Sequence, residues 1–348
     1  MKKGYLILEN GMAFEGRRFG AAGDAVGALA YATGMCSYIE TLTDPCHFGQ
    51  IVMQTFPLIG NYGMIERDFI GEGGALGYIV REACDAPSNF RAQYSLAEYL
   101  SARGIPGLMG VETRDVVHAL RAYGAMNAMI ADAVPDDLSA LRAHRPQNAL
   151  QSTGRRARAT LPATGEERHC VAMIGYGAEA SLARALCALG CRVELFPYGA
   201  RAEEVLAIDP DGVALSDGAG DPADNPACID VIRALAGVKP MLAVGLGHQL
   251  LARAMGMKTR RLSIPHRGEN IPVRDEATGR CFITRQNHAD AVVCETGARY
   301  INVSDGSCEG IDYADICVIA IQFRPPEHTD PGDADAPLNR FISHMGGN

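Results

Sequence analysis

Along the second half of the chain, unbroken apolar runs alternate with stretches whose apolar residues recur at helical spacing. CVAMIGYG, from Cys170, is apolar almost throughout; EASLARALCALG then repeats its apolar positions as a helix does; and CRVELFPYG is a second run. GVALSDGAGDP supplies a third and MLAVGLG, from Met241, a fourth, with CFITRQNHADAV and CVIAIQF as later candidates. Strands that are apolar on both faces and separated by helices belong to a mainly parallel sheet covered by helices on both sides. This predicts an α/β domain over 169–348. Ligands of such sheets sit at the carboxyl ends of the strands, so GYGA, SDGAG, GLGHQ, QNH and the RPPE loop are expected to face one crevice.

The first half is patterned differently. Short β-like runs, Tyr5 to Leu8 and Ile51 to Phe56, stand among many glycine turns. SLAEYLSARG reads as a helix opened by a capping box of Ser95 and Glu98. TRDVVHALRAYG reads as a second helix, closed at Gly124. A mixed β/α domain over 1–150 is therefore expected. From about residue 146 the text turns polar, basic and rich in turn formers, and 151–168 reads as a linker.

At 348 residues the chain is too long for one ordinary core, which agrees with two domains. The formal net charge of -9, with no basic stripe, argues against nucleic-acid binding. Eleven cysteines are scattered without CxxC pairs or metal-ligand spacing, so neither a metal nor another cofactor is expected. The N-terminus does not read as a signal peptide and no run is long enough for a membrane span; the expectation is a cytoplasmic protein with reduced thiols and no membrane partner.

Gly175-x-Gly177-x-x-Ala180 follows the first strand as a dinucleotide fingerprint would. The next strand ends in Phe196-Pro197-Tyr198, without the acidic residue that would hold a ribose, so an ordinary glycine turn is the better reading. SDGAGDP is more informative. Gly218 and Gly220 let backbone N–H groups point into the crevice, and such donors suit an oxyanion or a carboxylate. MLAVGLGHQLLARAMG is the strand, sharp turn and helix that lift a nucleophile in many hydrolases, yet Gly245 stands where Ser or Cys is needed.

GLGHQLLARAMG, SDGAGDP, QNH at Gln286 to His288 and the Pro326-Glu327 pair together resemble a class I, triad-type glutamine amidotransferase domain. SYIETLTDP, PLIGNYG, SNFR and ETRDVVHALRAYG in the first half are similar to the small subunit of carbamoyl-phosphate synthetase. The likeness runs through nearly the whole chain in the same order. It implies a partner, the large ATP-using subunit of that synthetase, contacted largely through the N-terminal domain, with glutamine as substrate. The small subunit would hydrolyse glutamine and pass ammonia on for carbamoyl phosphate synthesis. A Cys at the elbow, a His after the last strand and a Glu two residues later would form the triad.

Carried over by position, the nucleophile falls on Gly245, and the base on Pro325 or, counted without a gap, on Arg324. Glu327 keeps the orienting position beside a solvated His328. Neither proline nor arginine can accept a thiol proton at neutral pH. Of the substrate contacts, Gly218, Gly220, Leu246, Gln249 and Asn287 remain, Cys46 replaces a serine, and Ala289-Asp290 replaces a Gly-Phe pair. The added carboxylate of Asp290 is expected to repel that of glutamine. Glycine at the elbow would relieve backbone strain of roughly 1–3 kcal/mol once the reactive atom is no longer required.

Three readings stay open on the residues: a structural or regulatory partner of a large subunit that uses free ammonia, an active glutaminase with a displaced nucleophile such as Cys46 or Cys308, and a stand-alone binding protein for glutamine or a related small molecule. The pathway served, pyrimidine or arginine, is not written in the sequence.

Overall fold

The computed structural model describes residues 2–325 and 336–346. Two compact units divide the chain: Met1–Gln147 with Ser263–Gly268, and Asn148–Leu262 with Glu269–Asn348.

In the first unit seven strands close into a barrel: β1 (Lys3–Leu8), β2 (Ala13–Gly20), β3 (Ala25–Ala32), β4 (Gln50–Gln54), β5 (Gly77–Val80), β6 (Pro106–Met109) and β7 (Asn127–Ala131). Their order is β1-β2-β6-β5-β4-β3-β7, with β3, β4, β5 and β6 pairing in parallel. Closure leaves no open edge, which explains how such short strands persist. Leu6, Leu29, Ile51, Ile79, Leu108 and Ile130 share one buried cluster with Val116 and Leu120 of a helix at Thr113–Tyr123.

The helices before and at that point follow their local sequence. After α1 (Tyr38–Thr43), α2 (Leu96–Ala102) begins with the expected capping box. The Glu98 N–H donates to Ser95 Oγ at 3.2 Å, and the Ser95 N–H donates to Glu98 Oε2 at 2.7 Å. Those donors hold the Glu98 carboxyl below its ordinary range. α3 (Thr113–Tyr123) ends at Gly124, whose φ of 88° suits glycine. Ser95→Ala should cost about 1 kcal/mol, read as a lower denaturation midpoint with an unchanged slope.

The second unit is built on a ten-stranded sheet. Its strands are β8 (Ala159–Leu161), β9 (His169–Ile174), β10 (Cys191–Phe196), β11 (Gly212–Leu215), β12 (Met241–Val244), β13 (Lys258–Asp275), β14 (Cys281–Val293), β15 (Ala298–Asn302), β16 (Cys308–Tyr313) and β17 (Val318–Ile321). The order is β8-β10-β9-β11-β12-β17-β16-β14-β13-β15, and the core β10-β9-β11-β12-β17 is parallel throughout. Successive residues of β9, β11, β12 and β17 enter opposite clusters. Val213, Leu215, Met241 and Ala243 pack beneath α5 (Pro226–Leu235) and α6 (Leu246–Ala254). Ala214, Leu242, Val244 and Ile319 pack with α4 (Ala180–Ala188) and with Leu338 and Phe341 of α7 (Ala336–Met345). Both faces of β11, β12 and β17 are dry, as the unbroken apolar runs require.

Two expectations change. The segment read as a linker, 151–168, contains β8, which pairs antiparallel with β10 and extends the sheet. A turn-rich composition does not prevent a short edge strand, because an edge needs hydrogen bonds on one side only. Gln286 to His288 lie inside the thirteen-residue strand β14 rather than in a loop after a strand. The strand itself agrees with the reading of CFITRQNHADAV; what changes is that its polar centre continues the strand instead of ending it.

Candidate functional site

The apolar strand β12 stops at Val244, and α6 starts at Leu246. The residue that turns between them, Gly245, has φ 57° and ψ −115°. That conformation is costly for a side-chain-bearing residue. Its N–H donates to the Ile321 carbonyl at 2.9 Å, and its carbonyl accepts from the Gln249 N–H at 3.2 Å, so the elbow is tied to β17 on one side and continues into the helix on the other. Gly247 is pressed against β11: a Cβ there would lie 2.8 Å from the Leu215 Cβ and carbonyl oxygen. Absence of a side chain is what lets α6 sit this close.

The space a nucleophile would use is filled. A Cβ built on Gly245 would fall on the carboxylate of Asp217, far inside van der Waals contact. Asp217 Oδ1 accepts from the Leu246 N–H at 3.0 Å and from the Gly218 N–H at 2.8 Å. Its second oxygen, Oδ2, accepts from Arg324 Nε at 2.8 Å. Both side chains are only 11% exposed, so this is a substantially desolvated ion pair at a helix N-terminus. Ser216 anchors the loop from behind, its Oγ accepting from the Tyr176 N–H and donating to the Asp217 carbonyl, both at 2.8 Å.

Arg324 and Pro325, the two alternatives for the base position, now separate. The Arg324 guanidinium reaches the elbow, while Pro325 is buried and brings no ionisable group. The Arg324 N–H is fixed by the Arg285 carbonyl at 3.0 Å. Glu327 and His328 lie outside the described residues.

The other expected contacts are largely engaged within the protein. Gln249 is buried and its Nε2 donates to the Asp290 carbonyl at 2.8 Å and to Gln322 Oε1 at 2.9 Å. The Asp290 carboxylate does not stand bare as a repelling charge: Arg261 Nη1 donates to it at 2.8 Å. Asn287 and Ala289 lie on β14, partly exposed. Gly218 is closely covered by the Tyr176 backbone, and Gly220 turns the loop at φ 113°. Cys46 belongs to the first unit, in a tight turn where its N–H donates to Asp44 Oδ1 at 2.9 Å, and it is buried. Cys308 is buried on β16, and burial pushes its thiol well above the ordinary range, the opposite of what a nucleophile needs.

The first glycine turn is closed in the same manner. Glu179 Oε2 accepts from the Gly177 N–H at 3.2 Å, and Oε1 accepts from Arg155 Nε at 2.8 Å. A carboxylate of the chain itself therefore occupies the turn that resembled a dinucleotide fingerprint.

Comparison with known proteins agrees with this layout. The family model described as carbamoyl-phosphate synthase small chain, CPSase domain, matches residues 6–130, and that of glutamine amidotransferase class-I matches 173–344. The carbamoyl phosphate synthase small chain of Bacillus caldolyticus is 40% identical, across 98% of this chain and 96% of its own length. The chain belongs to the carbamoyl phosphate synthase small chain family. The pyrimidine-specific small chain of Bacillus subtilis is 37% identical across 97% of this chain and 94% of its own, and the small chain of Clostridium perfringens is 38% identical across 98% and 99%. Among the described residues no helix is long and apolar enough to cross a membrane.

In this chain the elbow between β12 and α6 is turned by Gly245, and the glycine loop after β11 lies against it through Asp217. Asp217 was legible as part of SDGAGDP but its role was not, because its partners Gly245 and Arg324 lie 28 and 107 residues further along the chain. The sequence signal is joint: a carboxylate in the glycine loop, a guanidinium after β17 and a glycine at the elbow.

Proposed function

We propose that this small chain acts without hydrolysing glutamine, as a structural or regulatory partner of a large carbamoyl phosphate synthase chain that draws on free ammonia, in the cytoplasm. One observation carries the reading: the position of the nucleophile is a glycine whose missing side chain is replaced in space by the Asp217 carboxylate. An amide-hydrolysing centre needs a nucleophile, a base and free oxyanion donors. Here the first is absent, the second is an arginine or a proline, and the donors already hold an anion. The barrel and its helices stay well packed, which supports a role that needs the fold rather than the chemistry. A displaced nucleophile at Cys308 is disfavoured by its burial, which pushes the thiol up and away from the reactive thiolate.

The test is reconstitution with the large chain of the same organism. Carbamoyl phosphate should form from ammonium chloride at a rate that depends on the small chain being present, and should not form from glutamine above the level of contaminating ammonia. Glutamine-dependent synthesis would overturn the reading; indifference of the ammonia reaction to the small chain would reject the partner role.

A further inference from the structure

We propose that Asp217 is a built-in plug of the elbow, an autoinhibitory contact that must be withdrawn before position 245 can carry any side chain or the loop donors can accept any external oxygen. The proposal rests on the reading that glutamine chemistry is lost, and goes further: the loss is locked by the Asp217 carboxylate, not only by the missing nucleophile and base.

The geometry is specific. A carboxylate has two oxygens and both are committed, Oδ1 to the N–H groups of Gly218 and Leu246 and Oδ2 to Arg324. These are the donors an oxyanion would use, one from the glycine loop and one from the first turn of α6. Charge-assisted hydrogen bonds of this kind are stronger than neutral ones, and the small exposure of both side chains limits screening. Arg324 holds the second carboxylate oxygen, its own backbone fixed to Arg285. An introduced Cβ at 245 must therefore displace the plug or distort the elbow. Restoring a thiol alone sets two anions against each other, because a thiolate would face the Asp217 carboxylate. With the plug gone, the same thiol would meet the N-terminus of α6 and the Arg324 guanidinium, both of which favour the thiolate.

The experiment compares Gly245→Cys with Asp217→Ala/Gly245→Cys in the full chain, without large chain or glutamine. Iodoacetamide labelling at position 245 is followed by peptide mass spectrometry, with the exposed Cys36, Cys281 and Cys317 as internal references. The double variant should label at least tenfold faster and melt at a higher temperature than the single one. Folding of the double variant when the single one fails to fold supports the plug equally. Equal labelling rates and equal melting temperatures overturn it. Where neither variant folds, Asp217→Ala alone decides: amide exchange at Gly218 and Leu246 should quicken at least tenfold, and unchanged protection rejects the proposal. None of these readouts depends on whether the chain hydrolyses glutamine, so the plug can fail while the functional reading stands, and the reverse.

Discussion

Glutamate release from glutamine by the purified chain should be indistinguishable from the uncatalysed rate, a larger loss than the removal of one triad member would give. In a triad protease, deleting the nucleophile or the base alone lowers turnover by about 10⁶, and deleting further members adds little. What survives there, about 10³–10⁴ over water, comes from the oxyanion hole and from binding. On the proposed reading that remainder should be lost as well. The Gly218 and Leu246 N–H groups are already bonded to Asp217, and Gln249 is bonded to Asp290 and Gln322. A coupled glutamate assay should therefore show no protein-dependent slope at any glutamine concentration. Putting Cys at 245 and His at 324 or 325 should leave it flat, and Asp217→Ala should be needed before any slope appears. A protein-dependent release in the native chain, abolished by replacing one cysteine, would reject this account and identify the nucleophile it overlooks.

How much of this was readable beforehand depended on whether the physical cause was local. Strands β9, β11, β12 and β17 announce themselves because both their faces are dry, so Val171 to Ile174 or Met241 to Val244 leave no polar position to confuse the pattern. The capping box at Ser95 and Glu98 and the stop at Gly124 are likewise local. The barrel was not readable. Its strand β2, AFEGRRFG, buries only part of its length, and closure depends on β1 meeting β7 more than a hundred residues away. The long strand β13 reads as polar text because it is mostly not deeply buried, whereas β14 was legible in CFITRQNHADAV. At the site, the vacancy at Gly245 was plain from the motif, since a turn of that hand has one position for a nucleophile. Its occupant was not, because an Asp in a glycine loop is common and becomes a plug only through an arginine that tertiary folding delivers. Asp290 shows the same limit from the other side: a carboxylate that looked repulsive in the sequence is paired with Arg261 in the fold.

One further polar group in α6 makes acid stability a test of the same helix. His248 follows the elbow by three residues, is completely buried, and neither ring nitrogen has a hydrogen-bond partner. Burial, helped by nearby His288, lowers its pKa from 6.5 to about 3. The folded state thus keeps His248 neutral where the unfolded chain would already bind a proton. Stability is then fully present above pH 6.5 and is lost as the pH falls toward 3, and a pKa lowered from 6.5 to about 3 corresponds to on the order of 5 kcal/mol in total. By pH 5 the loss from this one group should be about 2 kcal/mol. His248→Leu removes the titration while keeping the volume apolar, and replacing an unpartnered buried polar group by an apolar one of similar size is near neutral at pH 7. Urea denaturation from pH 7 to pH 4 should therefore show two curves that begin close together and diverge, with the native chain falling faster. Parallel curves would mean that His248 is protonated in the fold or reaches water, and that α6 is held less tightly against the sheet than its burial indicates.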